Sequence, residues 1–291
     1  MANLKEIRNR ITSVSSTMQI TSAMKMVSAS KLKRAQDAIT QMRPYAEKLQ
    51  EILGNLSSTL DLSENAYSEA REVKNVLIVG VTSNRGLCGG FNNNVIKRVR
   101  TLIDTEYANA NPKVLCLGKK IKDLYKKTDS YYINAKIAPV ENIFAELTFD
   151  NTAVIGENLM ELFENGTFDK IVVVYNKFVN AASQTVMTED FLPIVPTVVE
   201  SSTGAGDYIF EPGKVEIVED LIPKSLKVQL FKGLLDSHAS EHGARMTAMH
   251  KATDNANEMK KDLTLSYNKA RQASITNEIL EIVGGAEALN G

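Results

Sequence analysis

The chain has 291 residues, 34 basic and 35 acidic, so its length allows one or two domains with a real core, and no bulk field selects nucleic acid or a membrane surface as partner. Two cysteines, Cys88 and Cys116, are too few for a disulfide framework and lack the paired spacing of a metal site, which fits a reducing compartment. With no apolar signal core, no Arg/Ser-rich transit segment and no run of 18 apolar residues, the chain reads as soluble and untargeted, with no direct membrane insertion.

From the N-terminus, Ala2 to Arg43 runs for 42 residues without glycine or proline. At about 1.5 Å per residue this predicts a rod of roughly 60 Å. Its apolar residues fall at Leu4, Ile7, Ile11, Val14 and Met18, the three-four spacing of a coiled-coil seam. Around Thr21, Ser28 and Lys31 the seam turns small or polar, and it resumes at Ala38, Met42, Tyr45, Leu49, Ile52 and Leu56. Pro44 should bend the helix, which is expected to end near Gly54–Ser58. Residues 1 to 43 carry eight basic side chains against two acidic ones. That basic face suits either solvent or an acidic partner.

Ser57 to Glu72 has no strong period and reads as a linker. Val73–Val81 is a continuous apolar run, the signature of a buried parallel strand. A glycine-rich turn follows, then a helix through Val95, Val99, Leu102 and Ile103. A strand at Lys113–Leu117, a short basic helix at Lys119–Lys127 and an apolar stretch at Tyr131–Val140 come next. A helix at Asn151–Phe163 and a strand at Lys170–Tyr175 complete an alternation that predicts a covered α/β sheet. Gln184–Val195 and Tyr208–Glu211 read as an antiparallel extension. A second rod begins after Pro212, with Pro223 in its first turn, Asp220 as a cap candidate, and Leu226, Leu230 and Leu234 on its apolar face. Gly233 and Gly243 are expected to cost it about 1 kcal/mol each. Its later seam reads Met249, Ala252, Ala256, Met259, Leu263, Ser266, Ala270 and Ala273, small enough for a slim shaft. The segments imply an N-terminal coiled-coil helix (1–58), a central α/β domain (73–212) and a C-terminal coiled-coil helix (213–291) pairing antiparallel with the first.

Two places invite chemistry. A strand, the turn containing Arg85, Gly86, Gly89 and Gly90, and then a helix is a setting in which a helix N-terminus can cradle phosphate. The spacing is neither GxGxxG nor GxxxxGK[ST], so a tight turn that needs glycine backbone angles is the plainer reading. His238 and His242 share a helix face beside Glu241, but not in an HExxH arrangement, and are read as solvated or partner-facing rather than as a metal pair. No catalytic, cofactor or metal site is assigned.

Four blocks in order, ITSAMKMVSASKL (Ile20–Leu32), RGLCGGFN (Arg85–Asn92), SEHGARMTAM (Ser240–Met249) with KARQASIT (Lys269–Thr276), and ITNEILEIVGGAEA (Ile275–Ala288), resemble the gamma-subunit family of F-type ATP synthases from end to end. Asn84 departs from the aspartate common there. The resemblance implies a non-catalytic rotor shaft: a left-handed antiparallel coiled coil bracketing a Rossmann-like α/β domain. It implies a ring of three alpha and three beta subunits, the epsilon subunit and the c-subunit ring as partners, and a peripheral place at the cytoplasmic face of a bacterial membrane. It singles out Met24, Lys25, Arg245, Arg271, Gln272, Thr276 and Glu278 as torque-region contacts, with the loop at Arg85, Gly86, Gly89 and Gly90 in the central domain. Two competing classes are a nucleotide-binding enzyme with a helical dimerisation arm and a nucleic-acid-binding coiled coil. The balanced charge makes the second the weakest of the three.

Overall fold

The computed structural model describes residues 4–57, 67–69, 71–134, 136–137, 143–194 and 214–290. In chain order these form α1 (Leu4–Ser57), β1 (Asn75–Val81), α2 (Phe91–Thr101) with a π-helical extension (Leu102–Glu106), β2 (Asn111–Leu117), α3 (Lys119–Tyr125), β3 (Tyr131–Tyr132), α4 (Phe149–Glu164), β4 (Lys170–Phe178), β5 (Gln184–Leu192) and α5 (Lys214–Asn290). They divide into two compact units, Ala29–Arg245 and Met1–Ser28 with Met246–Gly291. The expected strand at Tyr208–Glu211, and most of the expected linker, lie outside the described residues.

The larger unit is built on a sheet in the order β3-β2-β1-β4-β5. β1 pairs in parallel with both β2 and β4, which follows from its NVLIVGV sequence: Val76 to Val79 and Val81 are wholly buried, as a strand covered on both faces must be. β5 runs antiparallel to β4, as the sequence suggests. Two apolar layers result. On one face Leu77, Val79 and Ile171 pack with Ile155, Leu159 and Phe163 of α4 and with Leu226, Leu230 and Leu234 of α5. On the other, Val76, Ile78 and Val172 pack with Val95 and Val99 of α2 and Ile121 and Tyr125 of α3. Each such side chain, fully buried, contributes about 1.5–3 kcal/mol. Gly118, which links β2 to α3, has φ 115°, and a Cβ there would fall 2.0 Å from the Thr82 carbonyl oxygen, so only glycine fits.

In the larger unit the helices depart from expectation in two ways. Pro223 stands ten residues into α5 rather than in its first turn, and Asp220 is helical too. The lost backbone bond is tolerated because Ile222 and Leu226, each 2% exposed, anchor the helix on both sides of it. Along α1 in this unit the seam runs through Leu32, Ala35, Ile39, Met42, Ala46 and Leu49, whereas the predicted Tyr45 is 46% exposed.

In the smaller unit the two helices run antiparallel. Lys260 Nζ reaches Ser15 Oγ at 3.4 Å, Thr253 meets Thr21, and His250 meets Lys25. The α1 seam does not falter there: Thr21 and Ser28 are buried at the heptad positions that continue Leu4, Ile7, Ile11, Val14 and Met18. What changes is chemistry, not register. On α5 the seam after Ala256 passes through Lys260, Leu263, Tyr267, Ala270 and Ser274, while the predicted Met259, Ser266 and Ala273 are exposed. Lysine and tyrosine can lay their apolar bodies along a seam while their polar tips reach its edge, as the Lys260 tip reaches Ser15, so they serve as seam residues that an apolar count misses.

Candidate partner-contact site

In the larger unit the loop after β1 lies at the carboxyl edge of the sheet, between neighbours β2 and β4, the place where open α/β sheets commonly receive ligands. Here the loop is turned on itself. The Ser83 N–H donates to Asn92 Oδ1 at 2.9 Å, and the Asn92 amide nitrogen lies 2.9 Å from Ser83 Oγ and 3.1 Å from Cys88 Sγ. The first amides of α3 are also occupied: Lys119 donates to Asn84 Oδ1, Lys120 to the Ser83 carbonyl and Ile121 to Thr82 Oγ1. Asn84 therefore caps α3 through its amide oxygen, a role that needs no carboxylate. Leu87 has φ 63° and Gly89 φ 58°. For leucine that left-handed conformation costs about 1–2 kcal/mol.

Arg245 of α5 closes the loop. Its guanidinium donates to the Arg85 carbonyl at 3.2 Å and to the Gly86 carbonyl at 3.3 and 3.4 Å, and pairs with Glu241 Oε1 at 2.6 Å. Arg245, one of the expected partner contacts, is only 7% exposed and is bound within its own unit to the very loop the sequence singles out separately. Burial pushes the Glu241 carboxyl up from its ordinary pKa, and the charge of Arg245 pulls against that shift. Glu241 is legible as the i, i+4 partner of Arg245. The hold of Arg245 on a loop 160 positions earlier is not.

His242 is buried and His238 half-buried. Their Nε2 atoms lie 3.1 Å apart, their rings cross at 81°, and Phe144 stacks on His238. Burial, then nearby cationic Lys31 and Arg245, lowers His238 to about 4. Burial, then His238 and Arg245, lowers His242 to about 3. Both rings are neutral at pH 7, and the short contact is a hydrogen bond between them. Because a guanidinium only donates, the 3.5 Å approach of Arg245 Nη1 to His242 Nδ1 leaves the His242 Nε2 proton for His238. Among the described residues no group of three or more His, Cys, Asp or Glu could hold a metal ion.

The other expected contacts belong to the smaller unit, at two separate places. Met24 and Lys25 are half-buried, with Lys25 Nζ 3.4 Å from His250 Nδ1, and near them in sequence Ile20, Met26 and Val27 stand 58–65% exposed. Continuing the antiparallel register sets Leu4 opposite Arg271, so α5 runs on beyond the start of α1. From Ile275 to Ala288 the helix is exposed on all sides, with Ile275, Ile279, Leu280, Ile282 and Val283 at 48–71%. Arg271, Gln272, Thr276 and Glu278 are all exposed at this end of α5. The Thr276 hydroxyl donates to the Gln272 carbonyl at 2.9 Å, and Ser274 Oγ donates to Glu278 Oε1 at 3.4 Å. At about 1.5 Å per residue this group begins roughly 30 Å along α5 from His250, so Met24 and Lys25 do not share a site with it.

The family model described as ATP synthase matches residues 3–289. The chain is 64% identical to the ATP synthase gamma chain of Flavobacterium johnsoniae and 63% identical to that of Flavobacterium psychrophilum, in each case over the whole of both chains. It is 45% identical to the gamma chain of Chlorobaculum tepidum over 99% of each. Among solved structures, its fold resembles a chain of the Euglena gracilis mitochondrial ATP synthase OSCP/F1/c-ring assembly, with TM-score 0.64 and 22% identity over 98% of this chain and 94% of that one. A chain from the central stalk and c-ring of the Tetrahymena thermophila enzyme gives TM-score 0.56 and 23% identity over 80% of this chain and 99% of that one. With four motif blocks in order, a family match from end to end and the same fold in solved ATP synthase assemblies, the chain belongs to the ATP synthase gamma chain family.

Proposed function

We propose that this chain is the central rotor shaft of an F-type ATP synthase, coupling proton translocation through the membrane sector to ATP synthesis and hydrolysis on neighbouring beta subunits. It contributes no catalytic group of its own. Its partners are a ring of three alpha and three beta subunits, the epsilon subunit and the c-subunit ring, and it works peripherally at the cytoplasmic face of a bacterial membrane. Among the described residues no helix is long and apolar enough to cross a membrane.

The observation that carries the proposal is the long exposed end of α5, apolar at Ile275, Ile279, Leu280, Ile282 and Val283, in a chain of this family. Apolar surface of that extent calls for a partner. A shaft with unlike faces binds one conformation of a surrounding subunit better at each angle, and that difference in contact shifts each site between states in turn. Proton flow supplies about 2.3 kcal/mol per charge per 100 mV. Met24, Lys25, Arg271, Gln272, Thr276 and Glu278 are the proposed torque contacts, within a functional division into 1–58, 73–212 and 213–291.

The test is co-purification with alpha, beta and epsilon chains, followed by ATP synthesis and hydrolysis assays on membranes. Alanine at Gln272, Thr276 and Glu278 together should lower coupled synthesis while the complex still assembles. Unchanged synthesis by a fully assembled triple variant would remove these residues from the mechanism.

A further inference from the structure

We propose that Glu241 and Arg245 are positioning residues that hold the Arg85–Gly90 loop in one conformation, so that the rotor presents Arg85 and Leu87 to its surroundings in a fixed pose. The functional half of this inference rests on the rotor reading above; the structural half does not.

Leu87 combines two features that folding alone does not favour. Its backbone is left-handed, with φ 63°, and the residue is 64% exposed, so burial does not offset the strain. A strained conformation persists only where the surroundings over-determine it. Here the determinants converge on the two residues before Leu87. The Arg85 carbonyl accepts from Arg245 Nη2 at 3.2 Å and from Ser83 Oγ at 2.5 Å, and the Gly86 carbonyl accepts from Arg245 Nη2 and Nε. While Arg245 reaches both carbonyls, its third corner, Nη1, is held at 2.6 Å by Glu241, which fixes the plane of the guanidinium. The Glu241 and Arg245 side chains are 11% and 8% exposed, so the clamp works away from bulk water.

Conservative substitution separates the charge of the clamp from its fork geometry. Lysine keeps the charge of Arg245 but not the planar set of donors needed to hold a carboxylate and two carbonyls together. Arg245→Lys and Glu241→Gln should therefore loosen the loop alike. Hydrogen exchange on the full chain in its assembled complex reads this at the Ser83 amide, which donates to Asn92, and the Phe91 amide, which donates to the Cys88 carbonyl. At least roughly tenfold faster exchange at both, with Leu77 and Val79 of β1 unchanged, is the expected result. Ser83 and Phe91 exchanging as in the parent, or all four amides accelerating together, would overturn the clamp. Glu241→Asp, which keeps the charge, should fall between parent and Glu241→Gln. In the same preparations the ratio of ATP synthesis to hydrolysis should fall with the loop's protection. If the loop loosens and the ratio holds, the functional half fails; if the parent chain does not assemble with ATPase-active partners, the rotor reading fails instead.

Discussion

Thr21 and Thr253 meet hydroxyl to hydroxyl at 2.8 Å across the antiparallel helix pair. Each hydroxyl also lies within bonding distance of a carbonyl on its own helix, Met18 for Thr21 and Met249 for Thr253. Each carries a single proton, so one donates along its helix and the other donates across. The contact joins the helices at a point where a purely apolar seam would carry no such register marker.

That arrangement predicts a non-additive pair. Thr21→Val or Thr253→Val alone leaves the partner hydroxyl with one bond fewer in a half-buried seam and should cost about 1–2 kcal/mol. The double valine variant removes both groups and should cost less than the sum of the two singles. Hydrogen exchange of amides around these positions measures the opening free energies. Strict additivity would show that the hydroxyls do not act on each other.

The glycines of α5 predict opposite outcomes from one substitution. At Gly233 an added Cβ would sit 3.5 Å from the Tyr175 ring, an ordinary contact, whereas at Gly243 it would meet the Ala181 carbonyl oxygen at 3.2 Å and Ala181 Cα at 3.3 Å. Gly233→Ala should thus gain up to about 1 kcal/mol of helix propensity, while Gly243→Ala should lose that gain to a displaced β4–β5 turn. Thermal unfolding of the two variants separates them. Equal stabilisation by both would mean that the turn yields freely.

The histidine pair predicts acid sensitivity. Both folded pKa values lie below the ordinary 6.5, at about 4 for His238 and about 3 for His242, so the unfolded chain takes up these protons first on acidification. The stability they confer is complete above about pH 6.5 and declines as pH falls toward about 3 to 4. Replacing both with glutamine should flatten the stability profile between about pH 6.5 and 4, measured by denaturant unfolding at each pH. Glu241 opposes this trend, because its raised pKa makes stability fall as pH rises from its ordinary value through its folded one. A profile unchanged by the double substitution would count against the buried pair as its source.

Much of the fold is legible in the sequence because local pattern and tertiary role agree. The run ending at Val81 is apolar at every buried position of β1, and Leu226, Leu230 and Leu234 are buried where their spacing puts them. Legibility fails where a residue's role is set by distant contacts. Lys260 and Tyr267 occupy seam positions through their apolar bodies, which a polar label hides. Arg245 sits in a recognisable block, yet its partners in the loop are Arg85 and Gly86, a pairing that no helical or strand period encodes. The histidines likewise read as surface residues until the packing around Phe144 is known.

The exposed end of α5 gives the last prediction. Ile279, Leu280, Ile282 and Val283 are 50–71% exposed, and no Cβ added at Gly284 or Gly285 would meet anything within 4 Å. Serine has a helix propensity close to those of isoleucine and valine and below that of leucine, so changing these four residues to serine removes apolar surface with a helicity cost of only a few tenths of a kcal/mol (about 0.3), chiefly at Leu280. If the surrounding ring covers this stretch, the substitutions remove part of about 1.5–3 kcal/mol per side chain. The expected loss is roughly 3 kcal/mol in all, or about a hundredfold weaker association. Titrating the full chain into a complex of its alpha and beta partners measures it. The same variant should also self-associate less when isolated, since the apolar surface that seeks a partner is gone. Unchanged affinity together with unchanged self-association would mean that this face of the helix meets neither the ring nor a second copy.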